Sequence, residues 1–544
     1  MNRLIFNQEV IRTKTGLDTK RALLVTQLDL ESRAAASPFM LEKHDGSCVL
    51  LLRDIENGNF CSEGSPASAK YYQQYLTFDP ARETLKSNWL DLLQENMDGK
   101  ELEVDACIYY AAFKTLAERF AVRVAPSPSW HKVYLHEVNS ADVSRQREES
   151  YEQCRADVGR VAPKLADCVE DFKDERFRML DEMLGELKLD ALLVSSPLNQ
   201  QEISGPPLDL FASFETVTFY YKKRVYVLAS QPIFHPLTQL TGVFADLKSA
   251  VNSLADTGTL SIGIEENHLP YGLLRESGLQ EKRIRPVSVE LRKWREDSAG
   301  EELPYYIIAA QASRHSIDST LKHVDEVLKK SGSLLETDVE KQLYVAYQEF
   351  VKKWDLSVKV RPYQTVLHTG ERSRKPSPPK LSQVNSSTIT LKIDAGLVVI
   401  DKNGLVRGVS DVGRTLVRDE NGLEMYNFME EQMLDVAIPA VKAGRTGEDV
   451  YMIGTKELLA RQKRWVELKL LPAEIDLPTS YNRDIGHVMG KQEPVNLTFR
   501  QGNKGVLKIG MVGCVEYHWP YYPYGIAIED MFALTPQGVV NITR

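Results

Sequence analysis

The chain has no apolar run approaching the ~18 residues that a membrane-spanning helix needs, and MNRLIFNQEVIRTKTGLDTK carries no apolar stretch of signal-peptide length. A cytoplasmic protein without a membrane partner is expected. Cysteine is scarce and unpaired: Cys48, Cys61, Cys107, Cys154, Cys168 and Cys514 show no CxxC spacing, in a chain too large to need covalent staples. They read as reduced thiols. Basic excess is missing as well, since the net charge is −9, so no basic face dominates and nucleic acid is excluded as the main partner. Low-complexity sequence is absent. What remains, 43% hydrophobic and 26% charged residues over 544 positions, is enough for roughly two to four globular domains with ample cores.

Five potential metal ligands stand in the carboxy-terminal third in the order Asp394, Asp411, His487, Glu516, Glu529, each in a stretch that reads as strand or strand end. The first two lie in TITLKIDAGLVVIDKNGLVRGVSDVGRTLV, where two β-rich runs flank Asp401-Lys402-Asn403-Gly404 and predict a hairpin. With Lys402 and Asn403 as its loop, Asp394 falls directly opposite Asp411, their Cβ atoms roughly 5 Å apart. A three-residue loop with a glycine bulge would shift that register by one. Two carboxylates so close repel unless they are protonated or bridged by a cation. His487 stands between Gly486 and Gly490, which leave the backbone free to bend around a site. Glu516 and Glu529 lie inside apolar runs, where an acid needs a partner. Four carboxylates and one imidazole form a hard donor set suited to Mn²⁺, Fe²⁺, Co²⁺ or Zn²⁺, able to bridge two such ions. No thiolate ligand is implied. Cys514 shares a sheet face with Glu516 by alternation and reads as core packing.

IDAG, SDVGRT, GHxxG, the Glu of VEYHWP and IED together resemble the pita-bread metallopeptidase family, which includes methionine aminopeptidase, Xaa-Pro aminopeptidase, prolidase and creatinase. By that resemblance Asp394 and Glu529 hold one metal, Asp411 bridges, and His487 with Glu516 completes the second. His368, in RPYQTVLHTG, is similar to the family's His that contacts substrate near the metals, and Glu516 would shuttle the proton from water to the leaving amine. The resemblance extends to the amino-terminal domain and connecting helix of creatinase and prolidase, and so covers roughly residues 175 to 544. An α/β (α+β) fold is expected, with a pita-bread catalytic domain over 299–544, a creatinase-like α/β domain over 171–298 and an amino-terminal α/β domain over 1–160. This last is read as a diverged duplicate, because KRALLVTQLDL and SCVLLLRDIENGN echo LDALLVSSPLN and RVYVLASQ. The charged stretch from Glu137 to Phe177 predicts a connecting helix between these units, with one solvated face. LLETDVEKQLYVAYQEF and AGRTGEDVYMIGTKELLA both place a Thr three residues before an acid, predicting two capped helices. In the first, Val339, Leu343, Ala346, Tyr347 and Phe350 form one buried stripe.

The pocket departs from the family. Where relatives carry His-Glu after GHxxG, this chain has Gln492-Glu493, and loss of an oxyanion donor there costs roughly 3 kcal/mol. His368, Gln492 and Glu493 are taken as substrate-binding. Glu516-Tyr517-His518 replaces Glu-Pro-Gly, and Ala527 stands where many relatives have Arg. The run Tyr517, His518, Trp519, Tyr521, Tyr522, Tyr524 lines a pocket or packs as a turn; Arg372, Arg374 or Lys375 could meet a substrate carboxylate. The expected activity is dinuclear metal-dependent hydrolysis of a small peptide or Xaa-Pro-like amide, by a homodimer. The alternatives are specialised C–N hydrolysis or lyase chemistry on a small-molecule substrate, or a binding protein on a retired enzyme fold.

Overall fold

The computed structural model describes residues 2–15, 39–53, 68–72, 89–126, 130–213, 215–256, 258–374, 378–481, 483–491, 496–521 and 525–544. Two mixed sheets precede the carboxy-terminal domain. In the first, the spatial order is Ser68–Tyr72, Cys48–Arg53, Phe39–Glu42, Asn2–Ile5, Glu101–Val104, Ala121–Val124. In the second it is Thr238–Phe244, Val133–Val138, Arg224–Ala229, Thr216–Tyr221, Ala191–Val194, Ile262–Ile264, Ile284–Pro286.

Five strands of each sheet repeat one topology, while the strand beyond them is parallel in the first and antiparallel in the second. Asn2–Ile5 and Ala191–Val194 each carry an antiparallel pair on one side and two parallel strands on the other. The strand equivalent to Ala191–Val194 is therefore Asn2–Ile5, whereas the echo pointed to residues 20–30, which lie outside the described residues. Its second half, Cys48–Arg53 against Arg224–Ala229, does occupy equivalent places. Val133–Val138 pairs with Arg224–Ala229 and Thr238–Phe244, so it belongs to the second sheet; the expected boundary near residue 160 falls too late. The connecting helix, Ser140–Val161, accordingly follows a strand of the second sheet instead of joining the two units. Asn139 caps it by accepting from Asp142 N–H, and its buried face, with Tyr151, Cys154 and Val158, packs into the core built around the helix Leu303–Lys329.

The carboxy-terminal sheet contains β1 (Lys359–Thr369), β2 (Thr390–Ile400), β3 (Val406–Val409), β4 (Val412–Val417), β5 (Gly486–Val488), β6 (Val512–Trp519), β7 (Ile526–Thr535) and β8 (Gly538–Asn541). Its order is β1-β2-β4-β7-β6-β5, with β3 on β2 and β8 on β7. Strand alternation sorts the two faces. Leu391, Ile393, Ala395 and Leu397 of β2 join Leu303–Lys329 and Glu336–Trp354 in one core, while Val515, Tyr517 and Trp519 of β6 join Phe428, Val450 and Trp465 in a second. The intervening side chains of β2, β6 and β7 face the other way, and these include the predicted ligands Asp394, Glu516 and Glu529.

The predicted stripe Val339, Leu343, Ala346, Tyr347 and Phe350 is buried along Glu336–Trp354. That helix begins earlier than its Thr suggests: Leu335 is the cap, and its N–H donates to Asp338 at 3.3 Å. In Gly447–Ala460 the capping box is the predicted one, with Thr446 and Asp449 satisfying each other's N–H. No helix among the described residues is long and apolar enough to cross a membrane.

Candidate metal centre

The hairpin of β2 and β3 forms with a register other than the two-residue loop gives. Gly404, at φ +82°, donates its N–H to Asp401 O at 3.0 Å, and Asp401 N–H donates to Leu405 O at 2.9 Å. The loop therefore has three residues and a glycine bulge, stabilised by the Asp401 carboxylate accepting from Asn403 and Leu405 N–H. A second irregularity leaves Arg407 unpaired between Ile400↔Val406 and Val399↔Gly408. Each bulge shifts the register by one. Asp394 thus lies opposite Gly413, correcting the expected pairing with Asp411, yet two single shifts preserve parity and keep Asp411 with the same site.

Gly413 pairs with Asp394 on one side and Glu529 on the other, and Glu529 pairs with Glu516. Three carboxylates and one glycine thus form a single row across four strands. A Cβ on Gly413 would stand 3.2 Å from Glu529 Cβ and 3.5 Å from its Oε2, so only glycine leaves the middle of the row open. Two residues along, Asp411 and Cys514 bring a further carboxylate and a thiol, with His487 opposite Cys514. One donor atom from each of Asp411, His487, Cys514 and Glu529 lies within 4.8 Å of all the others. His487 Nε2 is 3.8 Å from Asp411 Oδ2 and 3.3 Å from Cys514 Sγ. Its Nδ1 sits 3.3 Å from Val488 O; a proton held there puts the ring's lone pair on Nε2, the atom that faces Asp411 and Cys514.

On the opposite side of the carboxylate row lies a third row. His368 pairs with Lys392, Lys392 with Thr415, and Ala527 with His518, while Thr415 Oγ1 hydrogen-bonds Ala527. The small side chain of Ala527 leaves room for the Lys392 ammonium, 3.7 Å from Asp394 Oδ2 and 3.4 Å from His518 Nδ1. His518 Nε2 is hydrogen-bonded to Glu516 Oε2. Burial lowers the His518 pKa well below the usual range, reinforced by Arg483 and Lys392, so the ring is neutral. A neutral ring that accepts from Lys392 at Nδ1 donates from Nε2, which fixes both tautomer and direction toward Glu516.

Burial, then Asp411, Asp394 and Glu516, raises the Glu529 carboxyl far above the ordinary range. Its Oε2 is buried with no hydrogen-bond partner among the described residues. A carboxylate crowded by three others and left short of partners fits a site built for cations. Burial, then Glu529, Asp411 and Glu516, likewise raises the Cys514 thiol well above its usual pKa in the metal-free protein. His368 is buried and neutral, its pKa pushed down by burial and then by Lys392 and Arg372.

All five predicted ligands reach this face, together with His368. Gln492 and Glu493 lie outside the described residues, as does Lys375. Arg372 is tied to the buried Glu336 carboxylate and to Pro378 O at 3.2 Å. The aromatic run splits by parity: Tyr517 OH donates to Gly454 O at 2.7 Å and Trp519 Nε1 to Leu470 O at 2.9 Å, both in the helical core, whereas His518 faces the site. Tyr522 and Tyr524 lie outside the described residues. The sequence reading passed over Lys392 and named His518 only as one member of the aromatic run, not as a partner of Glu516. The available signal was parity, since each stands two residues from a ligand inside an apolar strand.

Residues 307–536 match the model of metallopeptidase family M24. Among solved structures, X-prolyl aminopeptidase from Caenorhabditis elegans, a cytosolic enzyme with a dinuclear active site, is similar over 100% of this chain and 86% of that one, at 12% identity and a TM-score of 0.57. Prolidase from Pyrococcus horikoshii is similar over 68% of this chain and 98% of that one, at 18% identity and a TM-score of 0.51. Prolidase from Pyrococcus furiosus is similar over 67% and 98%, at 18% identity and a TM-score of 0.50. No curated protein matches the chain. At these identities the likeness is one of fold. The family match and these fold neighbours together support an M24 metallopeptidase fold for the carboxy-terminal domain, residues 307–536.

Proposed function

We propose that the chain is a metal-dependent hydrolase of a small peptide or Xaa-Pro-like amide, with Asp394, Asp411, His487, Glu516 and Glu529 as ligands for two divalent transition ions. The observation that carries this reading is the row Asp394–Gly413–Glu529–Glu516, joined by Asp411 and His487 on one sheet face. Bound ions of this kind acidify water and polarise a carbonyl. The protein's own part is orientation and proton transfer. His518 holds one oxygen of Glu516, which aims the carboxylate to take a proton from water and pass it to the leaving amine. His368, neutral and in the row beside Asp394, offers a ring nitrogen to substrate. Gln492 and Glu493 are assigned to the substrate side, and the homodimer and cytoplasmic location remain part of the proposal.

A second reading, specialised chemistry on a small metabolite, is favoured by one observation: the Lys392 side-chain nitrogen lies against Asp394, giving the pocket a lysine beside a candidate ligand, its pKa lowered by burial. A panel of Xaa-Pro dipeptides and tripeptides, assayed with Mn²⁺, Co²⁺ and Zn²⁺, separates the two. Chelator-sensitive release of an amino acid supports peptide hydrolysis. Inactivity on every peptide, with metal bound, transfers support to the second reading.

A further inference from the structure

The hard, all-oxygen-and-nitrogen donor set leaves Cys514 outside the site as a packing residue, yet its thiol sits among the donors. We infer that Cys514 is itself a metal ligand, so that the most avid ion position is formed by Asp411, His487, Cys514 and Glu529, with a thiolate in its shell. This rests on the metal-centre reading above and adds a ligand to it.

Geometry is the first support. Around a tetrahedral ion with metal–sulfur and metal–nitrogen lengths of about 2.3 and 2.0 Å, neighbouring ligand atoms lie about 3.4–3.6 Å apart. The Cys514 Sγ to His487 Nε2 separation is 3.3 Å, His487 Nε2 to Asp411 Oδ2 is 3.8 Å, and all four donors fall within 4.8 Å of one another. The donors are already gathered around one point. Register is the second support: His487 and Cys514 are direct partners on β5 and β6, so their closeness follows from the backbone ladder and not from one rotamer. Third, Glu529, 2% exposed, presents to the group an Oε2 that no other described residue satisfies. Such an atom is left for a ligand to fill.

The other end of the site is arranged differently. Asp394 faces the Lys392 ammonium and Glu516 faces His518, so both carboxylates there already have protein partners. The Cys514 end stands clear of both of these pairs, which places the tightest position on the thiol side. A thiolate makes it softer than an all-oxygen site and favours Zn²⁺, Co²⁺ or Fe²⁺ over Mn²⁺.

The test uses the full chain, stripped with chelator and titrated with Co²⁺ under reducing conditions. The expected result is a sulfur-to-cobalt charge-transfer band in the near ultraviolet that grows linearly to one equivalent. It should vanish in C514S and C514A, while both still bind Co²⁺, and persist in C107S, a thiol outside the cluster. Competition of Zn²⁺ against Mn²⁺ should shift toward Mn²⁺ by at least about tenfold in C514S, since the soft donor has become a hard one. Should C514S fold poorly, C514A and the wild-type band decide the matter. Bound Co²⁺ without the band in the wild type, or a band that survives both Cys514 substitutions, overturns the inference and leaves the hydrolase reading standing. Failure to bind any ion defeats both.

Discussion

Gly413→Ala gives a direct test of how the carboxylate row is spaced. Its new Cβ would lie 3.2 Å from Glu529 Cβ and 3.5 Å from Oε2, closer than the first contact normally allows. Both atoms sit on paired strands, so relief requires Glu529 to move by a few tenths of an ångström. Overpacking of this kind costs about 1–3 kcal/mol in the metal-free protein. Displacing a ligand's support typically lowers metal affinity by about 10–100-fold. At saturating metal that loss corresponds to about 1.4–2.7 kcal/mol of ligand-linked stability. For a domain of this size each kcal/mol moves the melting temperature by about 2–4 °C. The rise in Tm on adding Co²⁺ should therefore shrink by about 3–11 °C, over and above any fall in the metal-free Tm. Gly404→Ala is the control: φ there is +82°, so the substitution strains the hairpin loop but touches no ligand. It should lower both Tm values equally. If Gly413→Ala binds Co²⁺ as tightly as the wild type by chelator competition, the row does not place Glu529 as a ligand.

Lys491 Nζ lies 2.8 Å from Glu202 and 3.0 Å from Glu302, all three buried, and joins the segment after His487 to the second sheet's domain. Lys491→Met removes one cation from carboxylates that keep Arg147 and, for Glu302, Arg407, and should cost about 1.5–3 kcal/mol in urea unfolding; a loss under about 0.5 kcal/mol would mean the arginines hold them alone. Burial raises the Glu296 carboxyl to about 7, opposed by the Asn496 N–H it accepts. A raised folded pKa gives stability that is full below the unfolded value near 4.5 and is lost as pH climbs through about 7. Glu296→Gln should flatten that decline, roughly 3 kcal/mol across the window, in unfolding measured from pH 4.5 to 8. His518→Ala frees Glu516 to rotate and should lower kcat about 10–100-fold on whichever substrate the panel yields, with KM changed far less. His518→Gln, which keeps a donor, should restore part of it, and an unchanged kcat in the alanine variant would remove His518 from the account.

The candidate ligands were legible because each is a charged or imidazole side chain inside a strand whose other residues are apolar, and an acid in that setting demands a partner. The helix Gly447–Ala460 was legible for a local reason too, as Thr446 and Asp449 close a capping box without help from the rest of the chain. Register was not. The bulges at Gly404 and Arg407 each insert one residue, and together they leave the apolar alternation intact, so the pattern carries no trace of them. Lys392 escaped for a related reason: a lysine in TLKIDAG looks solvated until β1 and β4 cover its strand on both sides. The space it fills exists because Ala527, two strands away across the sheet on β7, is small. Cys514 looked like core by alternation and is core by burial, but its partner on β5 is a histidine, and that pairing is long-range.

Metal analysis of the full-length protein, by mass spectrometry of the elements after desalting, tests the central claim most directly. The account predicts transition metal bound in stoichiometric amount, up to two ions per chain, and reduced by Asp411→Ala and by His487→Ala with the fold retained by circular dichroism. A wild-type protein that stays metal-free after incubation with Mn²⁺, Co²⁺ and Zn²⁺, or an Asp411→Ala variant that binds the same amount as the wild type, would contradict it.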